Sequence, residues 1–195
     1  MKTGETEMSR THEALAESPV IAAVRDWDHL HRALSSPAAV VFILDATLAD
    51  LAARVAACRE KGKLPFVHLD MVAGLSKDQA AIEYLAAAVG PEGIITTKPA
   101  LIKPAREAGF LTVERIFLVD SLSVQTGTKL VLAHHPDFVE LMPGTMPEVV
   151  AAFRREVEPI PVIAGGMIVR KEQIIDLMRA GTTAVSTSRP ELWWA

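Results

Sequence analysis

The sequence has 195 residues, of which 50% are hydrophobic and 23% are charged. The hydrophobic share is too high for a disordered chain, and no apolar run approaches the ~20 residues of a membrane-spanning helix. The formal net charge is −4, so contact with nucleic acid would require a local basic patch. A single cysteine, Cys58, excludes an internal disulfide and a zinc site built from cysteines. Because the N-terminus also has no apolar signal sequence, we predict a cytoplasmic, single-domain protein without a membrane partner.

Short apolar runs rich in Val and Ile recur along the chain at fairly even spacing. Near-continuous runs of this kind are typical of parallel strands that are covered on both faces. Residues 1–17 are polar and predict a tail with one helical turn at most, and residues 18–195 form the predicted domain. The predicted strands are Val20–Val24, Val40–Leu44, Leu64–Asp70, Gly93–Thr97, Leu111–Leu118, Phe138–Met142, Pro161–Ala164 and Thr183–Thr187.

Helical patterns separate the predicted strands. Ser76 with Gln79, and Thr145 with Glu148, have the spacing of capping boxes at helix starts. Eight strands that alternate with helices predict one α/β domain, a lean TIM-barrel-like (βα)8 parallel barrel, ahead of an open doubly wound sheet.

Two glycines and two hydroxyl residues mark a candidate phosphate site. Such barrels bind ligands at the carboxyl ends of their strands, often with phosphate after strands 7 and 8. Gly165 and Gly166 follow strand 7, where the absence of a Cβ lets the backbone approach a ligand. Thr187 and Ser188 end strand 8 before Pro190, and we predict that Ser188 caps a short helix that faces an anion. Each feature alone fits an ordinary turn, but together they predict a phosphate site.

Three other polar residues lie at predicted strand ends. Lys98 could neutralise a phosphate, form a Schiff base, or be a solvated lysine. His68 and Asp70 are two residues apart on strand 3 and therefore share a side, which suits a hydroxyl-binding pair. His68 could equally be a buried core imidazole. No metal site is predicted, because the sequence identifies no third ligand and Glu140 lies inside a strand.

Two adjacent charges, Glu114 and Arg115, lie within predicted strand 5. One of them faces the barrel interior and the other faces the helices, because side chains alternate along a strand. A buried charge needs a partner or a ligand. The sequence does not decide which of the two faces inward.

Several motifs follow one another in the order of a known family. They are PFVHLDMVAGLS at 65–76, GIITTK at 93–98, RIFLVDS at 115–121, PDFVELMPG at 136–144, PVIAGGMI at 161–168 and AVSTS at 184–188. Over residues 18–193 the chain resembles the glycerol uptake operon antiterminator regulatory protein family. The resemblance implies a TIM-barrel-like regulator without enzymatic activity or cofactor. It also implies an effector, glycerol 3-phosphate, and binding to the leader of a glycerol-catabolism mRNA, which allows transcription past a terminator.

The basic residues bear on the RNA-binding role that the resemblance implies. Arg170 and Lys171 follow the predicted phosphate loop and are the best-placed basic pair, although a solvated helix surface is the simpler interpretation. Pro104 falls where the family more often has a basic residue. Two alternatives stay open, a TIM-barrel enzyme (isomerase, lyase or aldolase) acting on a small phosphorylated metabolite, and a phosphometabolite-binding protein that acts through a protein partner. The sequence is also compatible with a homo-oligomer.

Overall fold

The computed structural model describes residues 3–194 of the chain, which form a closed parallel β-barrel surrounded by helices. The barrel strands are β1 (Val20–Val24), β2 (Val40–Ile43), β3 (Leu64–His68), β4 (Gly93–Thr96), β5 (Leu111–Phe117), β6 (Phe138–Met142), β7 (Val162–Gly165) and β8 (Ala184–Thr187). The helices are α1 (Thr3–Glu17), α2 (Trp27–Leu34), α3 (Leu51–Glu60), α4 (Gln79–Tyr84), α5 (Ile102–Glu107), α6 (Ser121–His134), α7 (Pro147–Glu156) and α8 (Lys171–Arg179).

The barrel closes between its first and last strands. In β1, Ala22 is in register with Val41 of β2 on one side and with Thr187 of β8 on the other. The predicted TIM-barrel-like architecture is therefore confirmed, and the open sheet is excluded. Within residues 3–194, no helix has the length and apolar character to cross a membrane.

The barrel strands lie close to the predicted runs, because these segments are apolar and covered on both faces. Every residue of β2 and of β3 is buried. One boundary differs, since β3 ends at His68 and the predicted strand continued to Asp70. A single 3-10 turn, Leu69–Met71, follows β3 instead.

The hydrophobic core has two parts, as expected for a barrel inside a ring of helices. One part lies inside the barrel and includes Ile21, Phe42, Phe66, Ile95, Val113, Phe138 and Ile163. The other lies between the strands and the helices and includes Val41, Leu51, Val67, Ile94, Val139, Phe153 and Leu177. Polar residues replace the inner part near the carboxyl ends of the strands.

Helix α1 occupies the segment for which we predict a polar tail; residues 1 and 2 lie outside the described residues. Leu15 is buried with the inner barrel core, and the His12 ring lies 5.2 Å from the Phe138 ring. The prediction of a tail with one turn at most is therefore wrong. Among the side chains of α1 that the structure describes, few are buried, such as those of Thr11 and Leu15, and this agrees with the polar composition of the segment.

The predicted capping boxes at Ser76 and Thr145 are also wrong. Asp78 caps α4, because its carboxylate accepts the Ala81 N–H at 3.1 Å. Helix α7 begins at Pro147, whose fixed φ and missing N–H suit a first helical turn.

Candidate functional site

A cavity of about 340 Å³ opens among the carboxyl ends of the barrel strands. Its volume is within the range of small-ligand pockets, about 300–1,000 Å³. The residues that line it include Arg25, Arg115, Glu140, Met142, Gly166, Ser186, Thr187, Ser188 and Arg189. A larger cavity, about 530 Å³, lies at the opposite end of β7 and β8 against Arg154 and Gly181. We take the first cavity as the candidate site, because barrels of this kind bind ligands at the carboxyl ends of their strands.

Gly166 and two arginines form the rim of this cavity. Gly166 has φ +77°, and an added Cβ would lie 2.8 Å from Met142 Cε. Arg25 and Arg189 are exposed, and neither forms an ion pair with a carboxylate among the described residues. The rim therefore combines an open main-chain turn with two positive charges, which is a suitable arrangement for an anion.

Thr187 and Ser188 lie at the same rim but have different roles. The Thr187 hydroxyl donates to the Ile168 carbonyl at 2.9 Å and accepts the Arg189 N–H at 3.2 Å, so it ties together the ends of β7 and β8. Ser188 is exposed to the cavity. The prediction that Ser188 caps a short helix is wrong, because Arg189 precedes a single 3-10 turn, Pro190–Leu192. The case for an anion therefore depends on the arginines rather than on a helix dipole.

Gly165, the other predicted glycine, is buried at the end of β7 and does not line the cavity. A Cβ at this position would contact Ser186 Oγ and lie 2.6 Å from Glu140 Oε1. Gly165 therefore makes room for polar side chains inside the barrel.

Those side chains form a hydrogen-bonded cluster at the floor of the cavity. Arg115 Nε donates to Glu140 Oε2 at 2.7 Å, and Ser186 Oγ donates to Glu140 Oε1 at 2.5 Å. The side chains of Arg115 and Glu140 are 5% and 0% exposed. Arg115 is thus the inward-facing member of the adjacent charge pair in β5, and Glu114 faces the helices. The sequence pattern did not predict this cluster, although Glu140 of β6 and Arg115 of β5 are in direct register.

The structure does not bring Lys98 into this cavity. Lys98 is exposed and follows β4. In the order of the barrel strands, β4 is four strands away from β8 in either direction. The predicted counter-charge therefore lies across the barrel from Thr187 and Ser188.

His68 and Asp70 are likewise absent from the cavity lining. His68 is buried inside the barrel, where burial and the nearby charge of Arg115 lower its pKa to about 4. The imidazole is therefore neutral at pH 7.

Asp70 lies in the 3-10 turn after β3, so the two side chains are not on one strand as predicted, although the charge of Asp70 still acts to raise the pKa of His68. Its carboxylate accepts hydrogen bonds from Thr96 Oγ1 at 2.9 Å, Thr97 N at 2.6 Å and Thr97 Oγ1 at 2.8 Å. Burial acts to raise the pKa of Asp70, but the hydrogen bonds from Thr97 and Thr96 outweigh it and lower that pKa. Asp70 therefore fixes the turn after β4. Among residues 3–194, no group of three or more His, Cys, Asp or Glu side chains could hold a metal ion.

The predicted basic pair lies on the loop that begins at the rim glycine. Arg170 is exposed immediately before α8, and Lys171 is its exposed first residue. Gln173 Oε1 accepts the N–H groups of Val169 at 2.9 Å and Arg170 at 3.0 Å. These bonds fix a continuous segment that connects Gly166 to the two basic side chains.

Comparison with known families identifies the family of the chain. Residues 20–193 match the family described as glycerol-3-phosphate responsive antiterminator. The chain belongs to this antiterminator family. The family is regulatory, which confirms the expectation of a regulator over an enzyme, since a TIM barrel does not by itself show catalysis.

Individual relatives of this antiterminator cover almost the whole chain. A glycerol uptake operon antiterminator regulatory protein from Listeria monocytogenes str. 4b F2365 is 34% identical, covers 89% of this chain and 94% of its own, and has a TM-score of 0.85. A glycerol uptake operon antiterminator-related protein from Thermotoga maritima MSB8 is 31% identical, with 90% and 98% covered and a TM-score of 0.81. Uncharacterized protein YgcP of Escherichia coli (strain K12) is 34% identical over 179 residues, which are 92% of this chain and 93% of YgcP.

Proposed function

We propose that this antiterminator binds glycerol 3-phosphate in the cavity at the carboxyl ends of the barrel strands. The phosphate lies at Gly166 and Ser188, between the guanidinium groups of Arg25 and Arg189. The observation that carries the proposal is this open glycine turn beside two arginines without carboxylate partners among the described residues. Arginine donates paired hydrogen bonds that match phosphate oxygens.

The proposal also assigns the leader of an mRNA as the partner that the effector controls. Arg170 and Lys171 are exposed and lie on the segment that begins at Gly166, so phosphate binding at the rim acts on the same segment that carries them. The net charge of −4 restricts RNA to such a local patch. We therefore propose that glycerol 3-phosphate strengthens binding to the leader of a glycerol-catabolism transcript.

Two measurements on the wild-type chain test this function. Calorimetric titration with glycerol 3-phosphate should give saturable heat, whereas free glycerol, which lacks the phosphate, should give none. A band-shift assay with the leader RNA of the genome's own glycerol-catabolism transcript should show tighter binding when glycerol 3-phosphate is present. The function is contradicted if glycerol 3-phosphate gives no heat, or if the effector leaves leader binding unchanged.

A further inference from the structure

The floor of the cavity holds a buried polar cluster that a phosphate site alone does not require. Arg115, Glu140 and Ser186 come from β5, β6 and β8, and all three line the cavity below its rim. Burying these groups costs free energy unless hydrogen bonds compensate. Placing them inside the barrel, where other layers are apolar, therefore points to a role in binding.

We infer that the Arg115–Glu140–Ser186 cluster binds the carbon chain of the effector and selects a polyol phosphate over a phosphorylated acid. The inference rests on the proposed function, which places the phosphate at the rim. The rim and the cluster line one cavity of about 340 Å³, so a single small molecule contacts both.

The hydrogen bonds within the cluster leave other donors and acceptors of Arg115 and Ser186 free to bind hydroxyl groups of a ligand. Arg115 uses its Nε–H for Glu140, and neither of its terminal nitrogens forms a hydrogen bond with the described residues. Ser186 directs its proton to Glu140 Oε1, so its oxygen keeps lone pairs that accept. A hydroxyl both donates and accepts. The cluster thus offers donors on Arg115 and an acceptor on Ser186.

The charges of the cluster disfavour a carboxylate. Arg115 and Glu140 form an ion pair without net charge, and both side chains are almost fully buried. A ligand carboxylate at this floor would place a second negative charge beside Glu140, and charges of like sign repel strongly in a buried site. A neutral hydroxyl avoids that repulsion and still accepts from Arg115.

Gly165 gives independent support for a specialised cluster. A side chain at this position would overlap Ser186 Oγ and approach Glu140 Oε1 to 2.6 Å. The glycine is therefore necessary for the hydrogen-bonded arrangement, whereas an apolar layer could accommodate a larger residue.

The test compares three probes on the wild-type protein by calorimetry. Inorganic phosphate reports on the rim alone, and glycerol 3-phosphate reports on the rim and the floor. The third probe, 3-phosphoglycerate, has a carboxylate in place of the terminal CH₂OH group. We expect glycerol 3-phosphate to bind at least about tenfold more tightly than 3-phosphoglycerate, as expected for one unfavourable charge contact in a partly desolvated site.

The variant Glu140→Gln gives a result that a folding defect does not imitate. It removes the negative charge and leaves Arg115 positive, so the ratio of the two dissociation constants should shift towards 3-phosphoglycerate by about tenfold or more. A folding defect would weaken both ligands equally and leave the ratio unchanged. The matched control is Glu60→Gln, an exposed residue at the opposite end of the barrel, which should retain the wild-type ratio.

A second variant, Ser186→Ala, keeps the Arg115–Glu140 pair. It should weaken glycerol 3-phosphate about tenfold through the lost hydrogen bonds while leaving inorganic phosphate unchanged. The subsite is overturned if wild type binds 3-phosphoglycerate as tightly as glycerol 3-phosphate, or if the ratio is the same in Glu140→Gln; the rim proposal then survives through its binding of inorganic phosphate. If wild type binds none of the three probes, the proposed function fails and the subsite fails with it.

Discussion

The guanidinium of Arg54 lies over the ring of Trp27, with its central carbon 5.3 Å from the ring centroid. The same group donates to the carbonyl oxygens of Arg25 at 3.3 Å and Asp45 at 2.9 Å, just beyond the ends of β1 and β2. Its Nε donates to Asp50 at 2.8 Å, the residue that precedes α3. Arg54 therefore joins two helices to the backbone that carries Arg25 at the cavity rim.

We predict that Arg54→Met lowers the free energy of unfolding by about 2 kcal/mol, because the Arg25 and Asp45 carbonyls and the Asp50 carboxylate lose a partly buried donor. Binding of inorganic phosphate should also weaken, since the backbone of Arg25 loses its support. Urea unfolding and calorimetry measure the two effects. Arg59→Met on the same helix is the control, because exposed Arg59 donates one hydrogen bond within the described part of the chain, to the Gly90 carbonyl. Equal effects of the two variants would contradict the role of Arg54.

The buried carboxyl group of Glu114 should make the stability of the protein depend on pH. Its side chain is fully buried on the helix-facing side of β5, and neither carboxylate oxygen has a hydrogen-bond partner among the described residues. Burial raises the pKa of Glu114, and the charge of His134 offsets this only in part. The folded chain therefore holds a proton that the unfolded chain has already released, so this group's contribution to stability is lost as pH rises through the folded-state pKa.

We therefore expect Glu114→Met to be more stable than wild type at pH 8, by roughly 1–3 kcal/mol, because the variant no longer buries a carboxyl group without a hydrogen-bond partner among the described residues. The difference should shrink as the pH falls below 4.5, the ordinary pKa of a glutamate carboxyl, because the wild-type group then becomes protonated in both states. Urea unfolding across this pH range measures it. The exposed control Glu60→Met should show no such trend, and a difference that is independent of pH would refute this account.

The strands could be predicted from the sequence, and α1 could not. Every residue of Val20–Val24 and of Val40–Ile43 is buried, so each of these strands is a continuous apolar run in the sequence. In α1, by contrast, the described side chains that pack on the inner barrel core are few, Leu15 with Met8 and Ala14, and such sparse contacts leave no clear helical pattern.

The site was predictable only in part, because sequence gives the order of strand ends but not distances across the barrel. The motifs around Gly166 and Ser188 are on neighbouring strands and meet in the cavity. Lys98 follows β4, which lies across the barrel from β8, and the order of the strands in the sequence does not by itself reveal that distance. Side chains along β5 alternate between the barrel interior and the helices. Two adjacent charged residues do not reveal which of them faces inward, so the inward direction of Arg115 could not be predicted.

Gly166→Val should abolish binding of inorganic phosphate and of glycerol 3-phosphate. The substitution strains a backbone with φ +77° and places a side chain against Met142. Calorimetry measures the loss. Gly62→Val is the matched control, because Gly62 has φ +70° but an added Cβ there would have no described atom within 4 Å, so the variant should lose similar stability and keep binding. Unchanged affinity in Gly166→Val would rule out the rim as the phosphate site.

Lys98 should form no Schiff base with a carbonyl substrate. It is exposed and lies across the barrel from the cavity rim, and the family is regulatory. The experiment incubates the protein with dihydroxyacetone phosphate and borohydride, which would reduce any imine to a stable secondary amine. Peptide mass spectrometry should find Lys98 unmodified, and an adduct on Lys98 would support the enzyme alternative.

The last prediction concerns RNA and the pair Arg170 and Lys171. Each contact between a basic side chain and an RNA phosphate releases counterions, so affinity falls with salt with a slope of roughly −0.7 per contact on single strands. Arg170→Ala combined with Lys171→Ala should therefore weaken leader binding and flatten the salt slope by about one to two contacts. The control pair, Arg155→Ala with Arg179→Ala, makes the same change in net charge on exposed residues at the far ends of α7 and α8. It should leave the slope near the wild-type value.

Coupling to the effector gives this experiment a second readout. If glycerol 3-phosphate tightens RNA binding by some factor, linkage requires RNA to tighten glycerol 3-phosphate by the same factor. The titrations are therefore run at several salt concentrations, with and without effector, and in both orders of addition. In the Arg170 and Lys171 double variant, the affinity for effector alone should stay at the wild-type level, because neither residue lines the cavity, while the coupling factor falls towards one. A double variant that binds leader RNA as wild type does would show that the RNA lies on another surface.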